Sequence, residues 1–333
     1  MSTSSRPVFL VSPPRPDWRV RGAANVFSQG APASVPRGAA LTEWLTLVDA
    51  MVAAGADVAV LPFDDHDDTL TGLPYVAEAG FVGRARDDDG GPVWLLPRMK
   101  PAHRRTEPAH VARFAAECGI PTRTAPVTWE GQGDVLVVDG PRGAPRRFVC
   151  TAGEGPQSRT SSDAFAHVAR FLPGPSLSLR FTADPWFHGN TFLGFFPARD
   201  DDGVVQETVA LVCLDALLPG EAERLRAFLP DVRLVALGRD DSLRYATNAL
   251  VVGRTVLAPP GVPAFVHDVW RGLGLAVVEL ALPTLFGRGG GAAVCLTNRL
   301  DVDFGVIPPH LRYAACRPAL VAYAPSSMAN DAP

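Results

Sequence analysis

Lysine is nearly absent from this chain: among 31 lysine and arginine residues, Lys100 is the only lysine. No motif surrounds it, which argues against Schiff-base and phosphate-loop chemistry, since both need a supported lysine. Cysteine is scarce as well. Cys118, Cys150, Cys213, Cys295 and Cys316 form no CxxC or CxxH pair, so their spacing offers no zinc site. An odd, scattered set in a chain of this length fits a reducing compartment better than a disulfide framework. No stretch reaches the roughly 18 apolar residues that a membrane helix requires. Met1-Ser2-Thr3-Ser4-Ser5-Arg6-Pro7 also lacks the apolar core of a secretory leader. Charge of one sign is not in large excess. The formal net charge of -4 leaves no footprint for nucleic acid or an anionic bilayer. The expectation is a cytoplasmic protein with no metal or cofactor and with no nucleic-acid or membrane partner.

What the chain does contain is core-forming material: 333 residues, 47% hydrophobic and 20% charged. Apolar strand-like runs alternate with amphipathic helical stretches, and the pattern recurs five times. The first unit runs from Val8-Phe9-Leu10-Val11 through a helix over 41–54 to Val58-Ala59-Val60-Leu61. In that helix Leu45, Leu47, Val48, Met51 and Val52 have the spacing of one buried face. A second helix is expected to start at Thr106-Glu107-Pro108, with Thr106 as N-cap, and to stop at Gly119. Further helices are expected over 162–172, 221–228 and 264–273. Cys150 and Cys213 fall in apolar runs and read as core. Asp87-Asp88-Asp89-Gly90-Gly91 and Asp200-Asp201-Asp202-Gly203 read as hairpin turns, since they lack the spaced ligands of a calcium loop. Strand–strand–helix–strand units of similar length point to a repeated α/β architecture rather than two unlike domains. One domain over 1–333 is expected, its body at 8–305 and its loose termini at 1–7 and from about 318 to 333.

Three separated segments carry chemistry. In Gly287-Arg288-Gly289-Gly290-Gly291-Ala292-Ala293-Val294-Cys295-Leu296-Thr297-Asn298, glycines precede a cysteine on a short apolar run, expected as a strand, where backbone can approach a ligand closely. The same glycines suggest a lid over the pocket. Trp186-Phe187-His188-Gly189-Asn190-Thr191 supplies a histidine, and Trp129-Glu130-Gly131-Gln132-Gly133-Asp134 supplies carboxylates. A nucleophile, a base and a group to orient that base make up the general Cys-His-carboxylate pattern. A buried structural cysteine is the commoner fate of this residue type, and a strand-edge histidine is equally ordinary. The order and local contexts of the three together favour the catalytic reading.

These segments line up with the guanidine-modifying superfamily of arginine deiminases, dimethylarginine dimethylaminohydrolases, arginine dihydrolases and amidinotransferases. Glu130-Gly131-Gln132-Gly133-Asp134 resembles its Glu-Gly-Gly-Asp motif with one residue inserted. His188 resembles the histidine of its His-x-(Asp)-Thr motif, and Cys295-Leu296-Thr297-Asn298 resembles its nucleophile segment. Tyr75-Val76-Ala77-Glu78-Ala79-Gly80 resembles an early segment whose acidic or Asn residue faces the guanidine, and Ser158-Arg159-Thr160-Ser161 one whose arginine binds a substrate carboxylate. The resemblance implies a five-bladed α/β propeller, which the count of five units also favours. It further implies Cys295 as nucleophile, His188 as acid and base, Glu130 as orienter of the imidazole, and Glu78 as partner of the guanidinium. Arg159 and Arg105 are its candidates for substrate contacts. Read from the residues alone, Arg104 lies in a solvated stretch before a helix, and Asp134 stabilises the turn after Glu130. Asn190 stands where deiminases carry a second aspartate, and it accepts a hydrogen bond without adding charge. This favours hydrolysis of a substituted guanidine, or a dihydrolase-like reaction, over plain arginine deimination. Amidino transfer to an amine uses the same residues, and a non-catalytic binding protein on the same fold is the alternative of another class. A homodimer is expected only from the commonness of two-fold oligomers.

Overall fold

The computed structural model describes residues 6–19, 28, 35–64, 67, 70–84, 91–141 and 144–324. Five three-stranded sheets follow one another along the chain. In the first, β1 (Val8–Val11) leads through helix α1 (Ala39–Ala53) to β2 (Asp57–Val60), which pairs with it in parallel. The second sheet holds β3 (Phe81–Arg84), β4 (Pro92–Leu96), α2 (Glu107–Glu117) and β5 (Thr122–Thr124). The third holds β6 (Val135–Val138), β7 (Arg147–Glu154), α3 (Ala164–Val168) and β8 (Ser176–Thr182). The fourth holds β9 (Leu193–Arg199), β10 (Val205–Cys213), α4 (Glu221–Phe228) and β11 (Arg233–Leu237). After a short turn of helix, α5 (Arg239–Ser242), the fifth holds β12 (Leu250–Val252), β13 (Thr255–Ala258), α6 (Ala264–Gly272) and β14 (Ala276–Glu279).

Sheets two to five share one design. The first two strands are antiparallel neighbours, and the helix carries the chain across to a third strand parallel to the second. The first sheet lacks an N-terminal hairpin partner. β15 (Asn298–Leu300) fills that place, pairing antiparallel with β1 through Val8–Leu300, Phe9–Arg299 and Leu10–Asn298. The two ends of the chain thus close a ring of five blades, an α/β propeller.

Burial explains the sequence pattern. Central strands are covered on both faces and read as continuous apolar runs, as in the fully buried stretch from Thr208 to Cys213. Outer strands are edges, and β5 is exposed throughout. β2 is the exception: α7 (Tyr313–Tyr323) packs on it, and Ala59 bridges to Arg312. Each of five apolar cores fills the wedge between two adjacent blades. Leu10 meets Trp94 and Phe114 in one, and Phe181 meets Phe192 and Val212 in another. Along the axis lies a cavity of about 480 Å³ walled by Val135, Leu193, Leu250 and Arg299 from the inner strands.

Several local expectations are corrected. Thr106 makes no side-chain capping bond, although α2 begins at Glu107 with Pro108 in its first turn. The helix expected over 162–172 is the short α3 followed by a 3₁₀ turn, Ala169–Phe171. The C-terminal stretch is helical to Tyr323 with Leu320 buried, so residues 318–323 are not loose. Cys295 precedes β15 instead of lying on a strand. Residues 1–5, 85–90 and 325–333 lie outside the described residues, and with them most of the first expected aspartate turn.

Candidate active site

Cys295 sits in a tight turn at the start of β15, 3% exposed. Asn248 holds this turn: its Oδ1 accepts from the backbone N–H groups of Ala292 and Cys295, both at 3.2 Å, and its carbonyl accepts from Val294 N–H at 3.1 Å. Gly291 makes room for the nucleophile, because a Cβ there would lie 2.7 Å from Cys295 Cβ and 3.1 Å from Sγ. Behind Gly291, the residues Pro283–Arg288 form one wide π-helical turn. Tyr75 and Tyr245 hydroxyls donate to the Leu285 and Phe286 carbonyls, each at 2.9 Å, and Glu43 accepts from the N–H groups of Thr284 and Leu285.

The imidazole of His188 is fully buried and held by one carboxylate. Its Nδ1 lies 2.7 Å from Asp134 Oδ2. Asp134 also accepts from Thr160 Oγ1 and Thr151 Oγ1, both at 2.6 Å, and from Gly189 N–H at 2.9 Å. A carboxylate so placed is an acceptor, so Nδ1 carries a proton. A Cβ at Gly133 would lie 3.0 Å from the ring, and Phe187 packs edge-on against it at 5.0 Å between centroids. Asp134, expected only to stabilise a turn, is therefore the residue that orients His188. Glu130, assigned that task from the sequence, stands on the opposite side of the ring.

Nε2 of His188 points between two carboxylates. Glu78 Oε1 lies at 3.1 Å and Glu130 Oε2 at 3.3 Å, yet Nε2 makes no hydrogen bond among the described residues. The three donor atoms lie within 4.8 Å of one another, close enough to share one cation, metallic or organic. Each carboxylate has one oxygen already engaged. Glu130 Oε1 accepts from Lys100 N–H at 2.8 Å, and Glu78 Oε2 is in ion-pair contact with Arg104 Nη1. Arg159 reaches Glu130 Oε2 at 3.4 Å and stacks its guanidinium 5.5 Å from the Phe187 ring centre.

Electrostatics follow from this packing. Burial works against the charged form of His188, but Asp134 and then Glu130 outweigh it and raise its pKa to about 9. Burial likewise pushes Glu130 upward, and contact with His188, Arg159 and Arg104 brings it down to about 2. Burial pushes the Cys295 thiol up, against the pull of His188 and of polar contacts with Asn248, Ala292 and Asn190. Glu78, Glu107, Glu130 and Asp134 thus face Arg104, Arg159 and protonated His188, which leaves one negative charge for an incoming cation.

The fold brings Cys295, His188, Glu130, Glu78, Asn190 and Arg159 together; Asn190 Oδ1 lies 3.9 Å from Sγ, and its Nδ2 makes no hydrogen bond among the described residues. Arg105 stays outside: it is exposed, and its Nη2 reaches only the Lys100 carbonyl at 3.4 Å. Its neighbour Arg104, expected in solvent, is 7% exposed and belongs to the site. Gln132, the residue inserted in the glycine motif, joins Glu130's loop to β15. Its Nε2 donates to Asn298 Oδ1 at 2.8 Å, and its Oε1 accepts from Arg299 N–H at 3.0 Å. Asn298 in turn donates to the Val76 and Gly80 carbonyls at 3.0 and 2.9 Å, fixing the turn that carries Glu78. Asn248 lies in no motif, and Asn298 enters the sequence reading only as the end of the nucleophile segment, without a role of its own. Lys100, without a motif, holds the loop before Arg159 by donating to the Pro156 and Ser158 carbonyls.

No family profile matches the sequence, and no curated protein matches it. Solved structures do match in fold. The N-terminal domain of ArgZ, captured with a covalently bound reaction intermediate, shares 20% identity at a TM-score of 0.71, over 91% of this chain and 100% of that one. ArgZ is described as an arginine dihydrolase from the ornithine-ammonia cycle in cyanobacteria. AgrE, solved with ornithine and NAD+, shares 21% identity at a TM-score of 0.73 over 90% of this chain, which spans 40% of AgrE. A dimethylarginine dimethylaminohydrolase adduct with S-methyl-L-thiocitrulline shares 18% identity at 0.57, over 89% of this chain and 100% of that one. At these identities the likeness is one of fold.

Proposed function

We propose that this protein is a hydrolase of a guanidino carbon–nitrogen bond, working through a covalent bond to Cys295. The observation that carries the reading is the buried His188, oriented by Asp134 and raised to about 9, with Nε2 between Glu78 and Glu130 and its charge acting on the Cys295 thiol. A guanidinium carbon is a weak electrophile because its charge is spread over three nitrogens. Single oxygens of Glu78 and Glu130 would clamp the planar cation and hold its carbon in line with Sγ. The added positive charge favours the Cys295 thiolate, which burial otherwise disfavours.

In the first step Sγ bonds to the guanidinium carbon. The bond to the leaving nitrogen breaks with its electron pair, and His188 Nε2 gives that nitrogen a proton. In the second step neutral His188 takes a proton from water. The resulting hydroxide adds to the thiouronium carbon, the C–S bond breaks, the new hydroxyl gives its proton to solvent, and a neutral ureido product leaves with the thiolate restored. A dihydrolase would take that product through a second round, as the description of ArgZ suggests for that enzyme.

The test is amine release from a panel of arginine, methylated arginines, agmatine and guanidino acids, with wild type and Cys295→Ser in parallel. Release by wild type and a loss of about a thousandfold or more in Cys295→Ser are expected. Equal turnover by both would sink the mechanism.

A further inference from the structure

Arg104 is a buried cation that the reaction scheme does not use. Its Nε lies 2.9 and 3.0 Å from the two oxygens of Glu107, and its Nη2 donates to Glu107 Oε2 at 2.7 Å and to the Gly72 carbonyl at 3.0 Å. Nη2 also reaches the Tyr75 carbonyl at 3.5 Å. With five contacts from Nε and Nη2 spent on this cradle, Nη1 remains, and it is in direct contact with Glu78 Oε2. All three side chains are buried: Arg104 is 7%, Glu107 4% and Glu78 5% exposed. A planar guanidinium fixed at one end by a carboxylate and two carbonyls is a rigid lever on whatever it touches at the other end. Here that is one oxygen of Glu78, and the other oxygen, Oε1, is the one 3.1 Å from His188 Nε2.

We infer that Arg104 is a positioning residue: anchored on Glu107, it occupies Glu78 Oε2 so that Oε1 alone is presented to the substrate guanidinium. The inference rests on the reading that Glu78 meets that guanidinium. Its consequence is a one-oxygen contact from Glu78 in place of a two-oxygen fork. The cation is then held between Glu78 Oε1 and Glu130 Oε2, with its carbon over the space that His188 and Cys295 border. A free Glu78 would pair both oxygens with the substrate and rotate it away from that line. Arg104 also cancels one of the site's negative charges, and the groups facing it are Glu78, Glu107 and, farther off, Glu130 and Tyr75.

The experiment uses methylguanidine as the probe and alkylation of Cys295 by neutral iodoacetamide, followed by peptide mass, as the readout. Protection by methylguanidine gives its affinity without any need for turnover. The variants are Arg104→Lys, and Arg104→Met combined with Glu107→Gln. The combined variant removes one positive and one negative charge together, so the net charge is kept while the grip on Glu78 is lost along with the bonds to the Gly72 and Tyr75 carbonyls. Methylguanidine is expected to bind the combined variant about tenfold more weakly or worse, and Arg104→Lys to fall between it and wild type. The unprotected alkylation rate should change by less than about threefold in either variant, because no contact to Cys295 is lost. Unchanged affinity overturns the inference, and Arg104→Lys decides the matter if the combined variant does not fold. Affinity and unprotected alkylation falling together would mark a general loosening and equally overturn it. Lack of protection in wild type would show that Glu78 does not meet a guanidinium. Failure of the hydrolase reading is seen separately, as absence of Cys295-dependent amine release while protection persists.

Discussion

At the scale of single residues, the site is a set of side chains whose roles follow from their partners. Asp134 takes four hydrogen bonds and gives His188 both its orientation and much of its positive charge. Asp134→Asn keeps the shape and removes the charge. Turnover is expected to fall about a hundredfold or more, with the fold retained. The pH profile supplies the signature. His188 must be protonated to expel the amine, so wild-type activity falls as pH rises through about 9. Without the Asp134 charge the imidazole loses its proton more easily, and this alkaline limb moves to lower pH. A limb that stays in place would show that Asp134 is only a scaffold.

The residue types of the site were legible, and their division of labour was not. Cys295, His188, Glu130 and Glu78 stood out because each lies in a short, distinctive run. Asp134 and Glu130 lie four positions apart on one loop, and no spacing rule tells which of them faces Nδ1. Arg104 was read as solvated because a pair of arginines before a helix usually is. The signal that could have corrected this is Glu107, three residues on and in the first turn of α2, at the spacing of an ion pair. Asn248 lies 47 residues before Cys295 in an unremarkable turn, and only the closed fold brings it near.

At the scale of elements, the nucleophile depends on a backbone turn more than on a strand. Strands and helices were legible because central strands are buried on both faces and helices on one, which writes a period into the sequence. The turn at Cys295 is irregular and has no period, so its apolar residues read as a strand that bears the cysteine, whereas β15 starts at Asn298. Its geometry relies on Gly291, where a side chain would meet Cys295. Gly291→Ala is expected to cost about 1–3 kcal/mol of stability by overpacking. Because the displaced group is the nucleophile itself, kcat should fall about tenfold or more, a shift of about 1 Å being enough. Denaturant unfolding and steady-state kinetics together check this, and unchanged kcat would contradict it. The short α3 shows the opposite failure: a fair helical pattern over 162–172 yields one turn and a half before the chain tightens.

At the scale of the whole molecule, stability belongs to the junctions between blades. Every large core joins neighbours, and β15 on β1 closes the ring with only three residue pairs. A blade removed from this ring would expose two apolar faces, so blades are not expected to unfold singly. Leu10, fully buried where the first and second blades meet, is a direct probe. Leu10→Ala should cost about 2–5 kcal/mol. Loss of structure and loss of activity are expected to share one denaturant midpoint, because Leu10 is also paired with Asn298 at the root of the nucleophile turn. Two separated transitions would show that the blades are independent. The five-fold repeat was countable in the sequence, whereas the closing pair of β1 and β15 was not, since it joins residues nearly three hundred positions apart.

The most direct measurement is the mass of the Cys295 peptide after rapid acid quenching of the enzyme with a turned-over guanidine. The account predicts an adduct on Cys295 equal to the substrate less its departing amine, which disappears on chase and never forms in Cys295→Ser. Amine release with no adduct on Cys295, or with an adduct on another residue, would contradict it.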